Sequence, residues 1–376
     1  ERPDLADIAL QNFFFSRQKE EASGENPFYG QPLFDICDGR LFGKWNRNRV
    51  QSAQNIKGVP KLIDANKAGT TQGFKCTLLL VEGDSAKAGV VSGLSREDRD
   101  WYGVFPLKGK LLNVRGTSQN KINNNAEINN IKKIMGLRSG KQYKTKQEVE
   151  KDLRYGKIYF LTDQDLDGTH IKALGMNLFN TQWNDLFKLK DFIGSMVTPI
   201  IKASKGKTSK SFYDENAYQK WKQENNNGKG WRIKYYKGLG TSTSKEFKEY
   251  FKNKKLINFK YTGEDSEDAM DKAFNKQRAD DRKKWLGNYD KNCRLDISKK
   301  RANIETFIDR DLIHFSKYDC ERSIPNLIDG QKTSKRKILF SCFKRNLRKE
   351  IKVSQLSGYV SEHSAYHHGE MSLKGA

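Results

Sequence analysis

The stretch KIYFLTDQDLDGTHIKAL, residues 157–174, joins an apolar run to an acidic turn and then to a helical pattern. The run at 157–162 is typical of a buried strand. Asp163, Asp165 and Asp167 then occupy every second position, in a chain whose formal net charge is +24. On an extended segment these side chains project to one side, because the side-chain period of a strand is two. Carboxylates this close repel one another, so we expect a cation to lie between them.

A second stretch of the same kind lies about 80 residues earlier in the chain. The apolar run CTLLLV at 76–81 stops at EGDSAKAG, with Glu82 directly after the run. Apolar strands that alternate with helical segments indicate a parallel sheet. Because reactive groups collect at the carboxyl edge of such a sheet, we expect Glu82 to meet Asp163 and Asp165 there. The sequence therefore predicts an α/β fold with an acidic site at one edge.

The acidic cluster favours magnesium among the cations that proteins bind. Carboxylate oxygens are hard ligands that suit Mg²⁺ or Ca²⁺ rather than zinc. The pattern Asp-x-Asp-x-Asp-Gly also opens an EF-hand loop, with Gly168 in the sixth place, but the twelfth place holds Leu174 instead of the required Glu. A purely structural role stays open, because acidic side chains also cap helices.

The composition points to an anionic partner. The 376 residues include 70 Lys and Arg against 46 Asp and Glu, an excess that indicates nucleic acid or another polyanion, although a solvated basic surface is the alternative. The five cysteines are scattered and never spaced as C-x-x-C, so we expect neither a disulfide framework nor a zinc site. We expect the protein to work in a reducing compartment. No apolar run is long enough for a membrane helix, so we expect no membrane partner.

Seven motifs, one of which contains the second acidic stretch, extend this pattern along the chain. The Glu-Gly-Asp-Ser-Ala and Asp-x-Asp-x-Asp-Gly pair resembles the TOPRIM metal-binding domain. From residue 56 to the end, the chain also resembles, in order, the cleavage core of eukaryotic-type (type IIA) DNA topoisomerase II. The motifs are IKGVPKLIDAN (56–66), YGVFPLKGKLLNVR (102–115), NAEINNIKKIMGL (125–137), LRYGKIYFLTDQDLDGTHIKAL (153–174), KYYKGLGTSTSKEFKEYF (234–251), ERSIPNLIDG (321–330) and YHHGEMSL (366–373).

The resemblance implies a fold and a domain order. The expected fold is a Rossmann-like TOPRIM parallel sheet flanked by helices, followed by the N-terminal part of a mostly helical winged-helix domain. The expected domains are a connector from the end of an ATPase or transducer region (1–57), the TOPRIM domain with an insertion (58–262), a charged helical linker (263–310) and the winged-helix part (311–376). Because the chain opens on ERPDLADIAL, we expect it to be a segment of a longer protein.

The resemblance also implies an activity and a metal site. Members of this family cut both DNA strands through a 5′-phosphotyrosine and pass a second duplex through the gap, as homodimers driven by ATP. The implied Mg²⁺ ligands are Glu82, Asp163 and Asp165, which are also the implied catalytic carboxylates, with Asp167 as a second-site or outer ligand of a two-metal centre. Glu82 is further implied as a general acid or base on the leaving 3′-oxygen.

The DNA contacts implied by the resemblance lie in several motifs. Lys110 and Asn113 would contact the gate DNA, and Lys237 lies in the loop 237–243 that would line the metal site. The remaining implied contacts are Lys332, Arg336 and Lys337 on the DNA backbone, Tyr366 as a further DNA contact, and His367 and the catalytic His368 close to the cleaved phosphate. The family usually has Lys-Pro-Gly-Gln-Arg-Lys where this chain reads KTSKRK (332–337), so we expect Thr333 or Ser334 to cap the following helix.

Two elements of the family's activity have no counterpart in the sequence. No arginine–tyrosine pair follows the last motif, and GVFPLKGK (103–110) is not a P-loop. We therefore expect this chain to bind Mg²⁺ and DNA, but neither to bind ATP nor to cleave DNA alone. The alternatives are a TOPRIM nuclease or primase-like enzyme and a non-catalytic DNA-binding module. The expected compartment is the nucleus for a cellular eukaryote, or the host cytoplasm and viral factory for a large DNA virus.

Overall fold

The computed structural model describes residues 56, 58–366 and 368–376. Apart from Ile56, the predicted connector at 1–57 lies outside the described residues, as does His367. The described chain forms two compact units, which meet in sequence between Phe315 and Ser316.

The described residues contain nine strands and sixteen α-helices. The strands are β1 (Thr77–Glu82), β2 (Tyr102–Leu107), β3 (Lys157–Leu161), β4 (Ile193–Met196), β5 (Ile201–Lys205), β6 (Thr208–Phe212), β7 (Arg232–Tyr235), β8 (Leu256–Lys260) and β9 (Arg301–Asn303). The helices are α1 (Gly83–Gly93), α2 (Asp98–Trp101), α3 (Gln119–Asn123), α4 (Ala126–Met135), α5 (Lys146–Asp152), α6 (Leu166–Gln182), α7 (Asn184–Lys188), α8 (Glu215–Glu224), α9 (Ser244–Lys252), α10 (Glu264–Phe274), α11 (Ala279–Gly287), α12 (Ile304–Phe307), α13 (Ile313–Ser323), α14 (Thr333–Lys344), α15 (Val353–His363) and α16 (Glu370–Gly375). Short 3₁₀ turns lie at Gly73–Lys75, Asn226–Gly228, Leu239–Thr241 and Lys276–Arg278, and a π-helical turn lies at Ile308–Leu312.

A six-stranded sheet in the order β2-β1-β3-β4-β8-β9 forms the centre of the larger unit. All of its neighbouring strands are parallel except β4 and β8, which pair antiparallel. The central strand β1 is buried on both faces, as its continuous apolar run TLLLV predicts for a parallel sheet. The predicted Rossmann-like α/β fold is confirmed.

Helices cover both faces of the sheet, because alternate side chains of each strand point to opposite sides. On one face, Leu78, Leu80 and Phe160 pack in a core with side chains of α4, α6 and α10. On the other face, Leu79 and Val81 pack against α1 and α9. The helix α9, far along in sequence, is thereby placed next to β1.

A smaller antiparallel sheet in the order β6-β5-β7 belongs to the same unit. Ile201 and Ala203 of β5 pack with Phe212 and with two aromatic residues of α8, Tyr218 and Trp221. This sheet and helix lie within 58–262, the range that the sequence predicts as the TOPRIM domain with an insertion.

The segment 263–310, which the sequence predicts as a charged helical linker, is partly helical and shares the main core. Its apolar side chains Met270, Phe274 and Phe307 are buried in the same cluster as the strand residues of the large sheet. The charges of this segment lie on the solvent side of α10 and α11, which is why its composition alone suggests a linker. The domain boundaries stay a prediction.

The second unit, from Ser316 to Ala376, is helical, as predicted for the winged-helix part. The predicted cap of its basic helix is wrong. Lys332 occupies the N-cap position of α14 without a side-chain hydrogen bond, and the Thr333 hydroxyl donates instead to the carbonyl of Glu321. Among the described residues, no helix is long and apolar enough to cross a bilayer.

Candidate metal centre and nucleic-acid contacts

Two carboxylates from separate stretches meet at the carboxyl edge of the large sheet. Glu82 is the last residue of β1, and Asp163 follows β3 by two positions. The parallel register pairs Val81 with Leu161, so the two strands end side by side. The backbone N–H of Asp163 donates to Oε2 of Glu82 at 3.3 Å. The structure thus places together two residues that are 81 positions apart in sequence.

The prediction that Asp163, Asp165 and Asp167 lie on one extended segment is wrong, because a helix begins before the motif ends. Strand β3 ends at Leu161, and α6 begins at Leu166 with Asp165 as its N-cap. Oδ1 of Asp165 accepts a hydrogen bond of 2.7 Å from the backbone N–H of Gly168. Asp167 lies in the first turn of the helix. The motif is therefore both a helix cap and part of an acidic site.

The electrostatics of the site favour a bound cation. Burial, together with the charges of Asp163 and Asp165, raises the pKa of Glu82 to about 7. Burial also raises the pKa of Asp163, against the backbone hydrogen bond from Leu239 that lowers it. A nearby positive charge would remove this repulsion and release the proton from Glu82.

The donor set fits Mg²⁺ by its chemistry. Within residues 56, 58–366 and 368–376, no three His, Cys, Asp or Glu side chains are already arranged as a metal cage. One oxygen of Asp165 accepts from the Gly168 N–H, and one oxygen of Asp163 accepts from the Leu239 N–H. Mg²⁺ keeps several water molecules and binds through one or two carboxylates plus substrate phosphates, so an open set led by Glu82 and Asp163 is sufficient.

Asp167 and Lys110, predicted as an outer metal ligand and a DNA contact, contact each other. The Lys110 ammonium lies 2.7 Å from Oδ1 of Asp167, and both side chains are largely buried. The same ammonium lies 4.7 Å from the ring centre of Phe315. Lys110 follows the turn at the end of β2, next to β1 in the sheet, so its positive charge lies at the edge that carries the acidic site.

Asn113, also predicted as a DNA contact, has its side-chain amide engaged within the protein. Its Nδ2 donates to the carbonyl of Phe274 at 3.0 Å, and its Oδ1 accepts from Nδ2 of Asn177 at 2.9 Å. Arg115 extends this network by donating to Asn177 at 3.2 Å and to Asp271 at 3.1 Å. Sequence reasoning missed the role of Arg115, although it lies in the same motif as Lys110.

The loop 237–243, predicted to line the metal site, lies against Asp163. The backbone N–H of Leu239 donates to Oδ1 of Asp163 at 2.7 Å. A Cβ atom at Gly238 would lie 2.6 Å from Cγ of Asp163, so only glycine allows the backbone to come this close. Lys237 itself is exposed to solvent.

The predicted DNA-binding cations of the second unit differ in their surroundings. Lys332 is exposed at the start of α14. Arg336 forms a two-pronged ion pair with Asp329, with distances of 2.9 and 3.0 Å. Lys337 donates to the carbonyl of Ala365 at 3.3 Å and lies 5.9 Å from the ring centre of Tyr366. Arg336 must therefore exchange its partner before it can bind a phosphate.

His368 is held by an aromatic neighbour in the second unit. Its Nε2 lies 2.8 Å from the hydroxyl of Tyr318, on α13, and the two rings stack with centres 6.2 Å apart. The hydroxyl fixes the orientation of the imidazole. Tyr318 carries no motif signal, so the sequence alone did not indicate it. The adjacent His367 lies outside the described residues.

Three family models match successive parts of the chain. Residues 77–191 match the Toprim domain, and residues 196–320 match the C-terminal associated domain of TOPRIM. Residues 322–376 match the family of the A-type subunit of DNA gyrase/topoisomerase IV. The first match contains both acidic stretches, and the second contains the loop that contacts Asp163.

Individual relatives agree with these matches. DNA topoisomerase 2 of Plasmodium falciparum is 51% identical over 335 residues, which are 88% of this chain and 24% of that protein. DNA topoisomerase 2-alpha of Homo sapiens is 50% identical over 332 residues, 85% of this chain and 22% of that protein. The crystal structure of the Plasmodium falciparum topoisomerase II DNA-binding, cleavage and re-ligation domain is similar with a TM-score of 0.76 and 51% identity, covering 86% of this chain and 44% of that one. The chain thus spans about a quarter of the length of the curated relatives it matches.

Proposed function

Because the chain belongs to the eukaryotic-type DNA topoisomerase II family, we propose that it supplies the metal centre and part of the DNA-binding surface of such an enzyme. The observation that carries this proposal is the contact of Glu82 with Asp163 at the carboxyl edge of the sheet, where the pKa of Glu82 rises to about 7. The matches to topoisomerases favour this function over a nuclease, a primase-like enzyme or a non-catalytic DNA-binding module.

In the proposed reaction, the whole protein makes transient double-strand breaks in DNA by transesterification and passes a second duplex, driven by ATP. The 3′-oxygen of the broken strand leaves while a tyrosine oxygen becomes bonded to the phosphate. Glu82, with its pKa near neutrality, is suited to exchange a proton with that 3′-oxygen. Glu82, Asp163 and Asp165 would hold the divalent ions, whose positive charge would stabilise the charge that develops on the phosphate oxygens.

The remaining predicted residues supply charge around this centre. Asp167 and Lys110 form its outer part, where Lys110 can turn from the aspartate to a DNA phosphate. Lys237 carries an exposed ammonium at the start of the loop that contacts Asp163. The contacts proposed in the second unit are Lys332, Arg336, Lys337 and Tyr366 on the DNA backbone, with His367 and His368 close to the cleaved phosphate. Asn113 contributes chiefly by fixing the turn that carries Lys110.

The partners and the compartment follow from the family. We propose double-stranded DNA as the substrate and a homodimer as the working state, with the ATP site in another part of the whole protein. The nucleus is the proposed compartment for a cellular source.

Magnesium titration tests the metal centre directly. We expect the 376-residue chain to bind Mg²⁺ in isothermal titration calorimetry, and Asp163→Asn to weaken this binding strongly. Asp280→Asn is the matched control, because Asp280 is exposed on α11 and pairs with the nearby Lys283, away from the acidic site. In the whole enzyme, Glu82→Gln should abolish DNA cleavage while DNA binding persists. Absence of Mg²⁺ uptake by the unmodified chain would refute the proposal.

A DNA titration tests the second half of the proposal. Because cationic side chains release counterions from DNA, we expect the affinity for a duplex to fall steeply between about 50 and 200 mM salt. An affinity that does not change with salt concentration would contradict a role for the basic surface.

A further inference from the structure

One carboxylate closes the loop that contacts the candidate metal centre. This is the loop 237–243, counted here together with Tyr236, which directly follows β7; it ends at Thr243, just before α9. Glu246, in the first turn of α9, accepts hydrogen bonds from both ends of this loop. At the first end, the Tyr236 hydroxyl donates to its Oε1 at 2.5 Å. At the second end, the Thr243 backbone N–H donates to its Oε2 at 2.7 Å.

A lysine completes the closure. The ammonium of Lys234, on β7, lies 3.0 Å from Oε1 and 2.8 Å from Oε2 of Glu246. Burial disfavours the charged carboxylate, but the bonds from Lys234 and Thr243 outweigh it and lower the pKa of Glu246 to about 2. The carboxylate therefore stays ionised at neutral pH, where it can accept all these bonds.

The closed loop presents a backbone donor to Asp163. Within the loop, residues Leu239–Thr241 form one 3₁₀ turn, and the Leu239 side chain is buried in the core beside α1 and α9. The Leu239 N–H then donates to Oδ1 of Asp163 at 2.7 Å, while Gly238 packs against the same carboxylate. The orientation of a candidate metal ligand is thus set by a loop whose two ends bond one side chain.

We propose that Glu246 is a positioning residue of the metal centre, which acts on Asp163 through the closed loop and the Leu239 N–H. This inference rests on the proposed function, because it assumes that Asp163 is a metal ligand. Groups that orient metal ligands from outside typically change metal affinity by about 10- to 100-fold when they are replaced.

A simpler role for Glu246 is helix capping, and the chain contains a matched reference for it. Glu246 and Thr243 form a capping box at the start of α9. Glu148 and Thr145 form the same box at the start of α5. The Glu148 carboxylate accepts from the backbone N–H groups of Lys144 and Thr145, four and three positions before it, and it closes no loop against Asp163. If capping were the whole role, the two glutamates would respond alike.

The proposed test compares three isosteric variants of the 376-residue chain. Glu246→Gln keeps the size of the side chain, but its amide can accept from only one end of the loop, whichever way it is turned. Glu148→Gln makes the same replacement in the reference capping box, where a Gln side chain can still accept from the Thr145 N–H. Glu249→Gln, on the same helix, removes an ion pair of 2.5 Å to Lys202 of the small sheet without contacting the loop ends.

Mg²⁺ affinity by calorimetry and the thermal midpoint of unfolding are measured for each. We expect Glu246→Gln to raise the Mg²⁺ dissociation constant about tenfold. We expect Glu148→Gln and Glu249→Gln to lower the thermal midpoint slightly while leaving the dissociation constant unchanged. A dissociation constant for Glu246→Gln equal to that of the unmodified chain, or equal to that of Glu148→Gln, would overturn the inference.

Two further results separate this inference from the function on which it rests. If the unmodified chain takes up no Mg²⁺, the proposed metal centre fails and Glu246 has nothing to position. If Glu246→Gln does not fold, Tyr236→Phe replaces it, because this change removes one donor to the carboxylate and leaves all charges in place. A severalfold weaker Mg²⁺ affinity in Tyr236→Phe supports the inference, and an unchanged affinity contradicts it.

Discussion

Replacing Gly238 by alanine should weaken Mg²⁺ binding without unfolding the protein. The new Cβ atom would lie 2.6 Å from Cγ and 2.8 Å from Oδ1 of Asp163. Carbon atoms in contact are separated by about 3.5–4.0 Å, so the carboxylate must move by roughly 1 Å. Gly238 has an extended backbone, with φ at −175°, so alanine itself is not strained there. The end of the Asp163 side chain is the part that gives way.

The size of the effect follows from the hydrogen bond that this movement breaks. Oδ1 of Asp163 accepts the Leu239 N–H at 2.7 Å. A hydrogen bond to a charged group contributes about 1.5–3 kcal/mol, and every 1.4 kcal/mol is a factor of ten in a dissociation constant. We therefore expect the Mg²⁺ dissociation constant to rise by roughly ten- to hundredfold.

Calorimetric titration with Mg²⁺ measures this change, and Gly240→Ala is the matched control. Gly240 lies two positions further along the same loop, and a Cβ atom there meets nothing within 4 Å. We expect Gly240→Ala to bind Mg²⁺ like the unmodified chain. Equal affinities of the two alanine variants would refute the argument that Asp163 is held by the approach of the loop.

Three other predictions concern the acidic site and the network of Arg115. Mg²⁺ binding requires Glu82 to be ionised, and the pKa of Glu82 in the metal-free chain is about 7. The Mg²⁺ affinity should therefore fall about tenfold for each pH unit below 7 and level off above pH 7. Calorimetric titrations at several pH values between about 5.5 and 8.5 measure this dependence, and an affinity that does not change with pH would contradict it. The folded-state pKa of Glu82 lies above its ordinary value of 4.5, so protonated Glu82 stabilises the fold fully below pH 4.5, and this contribution is lost as the pH rises through 7. In metal-free melts, Glu82→Gln should therefore raise the thermal midpoint relative to the unmodified chain at about pH 8 but not at about pH 4.5. Equal midpoints at about pH 8 would argue against repulsion between the Glu82 carboxylate and its acidic neighbours. Arg115→Ala removes the donors to Asn177 and Asp271 and should lower the free energy of unfolding by about 2–4 kcal/mol in urea. Lys283→Ala, which removes the exposed pair with Asp280 on α11, should lower it by less than about 1 kcal/mol. Similar losses in both variants would show that the network contributes little.

The sequence determined the large sheet and the convergence of its acidic residues. Residues 78–81 and 158–161 are continuous apolar runs, and such runs become strands buried on both faces of a parallel sheet. Parallel strands end at the same edge, so carboxylates that directly follow two neighbouring strands must come close together. The local pattern and the side-chain period are therefore enough to place Glu82 beside Asp163, and the two residues are in contact in the structure.

The tertiary structure decided which polar groups those carboxylates contact. The Leu239 N–H that holds Asp163 is 76 positions away from it, and the ammonium that pairs with Asp167 is 57 positions away. No local pattern specifies such pairs, because they depend on where a loop lies after the core has packed. The composition of 263–310 predicts a linker because its charges are visible in the sequence. The burial of Met270 and Phe307 is not visible there, because it depends on the sheet against which they pack. Strands and their edges are set by neighbours in sequence, and partners across the site are set by neighbours in space.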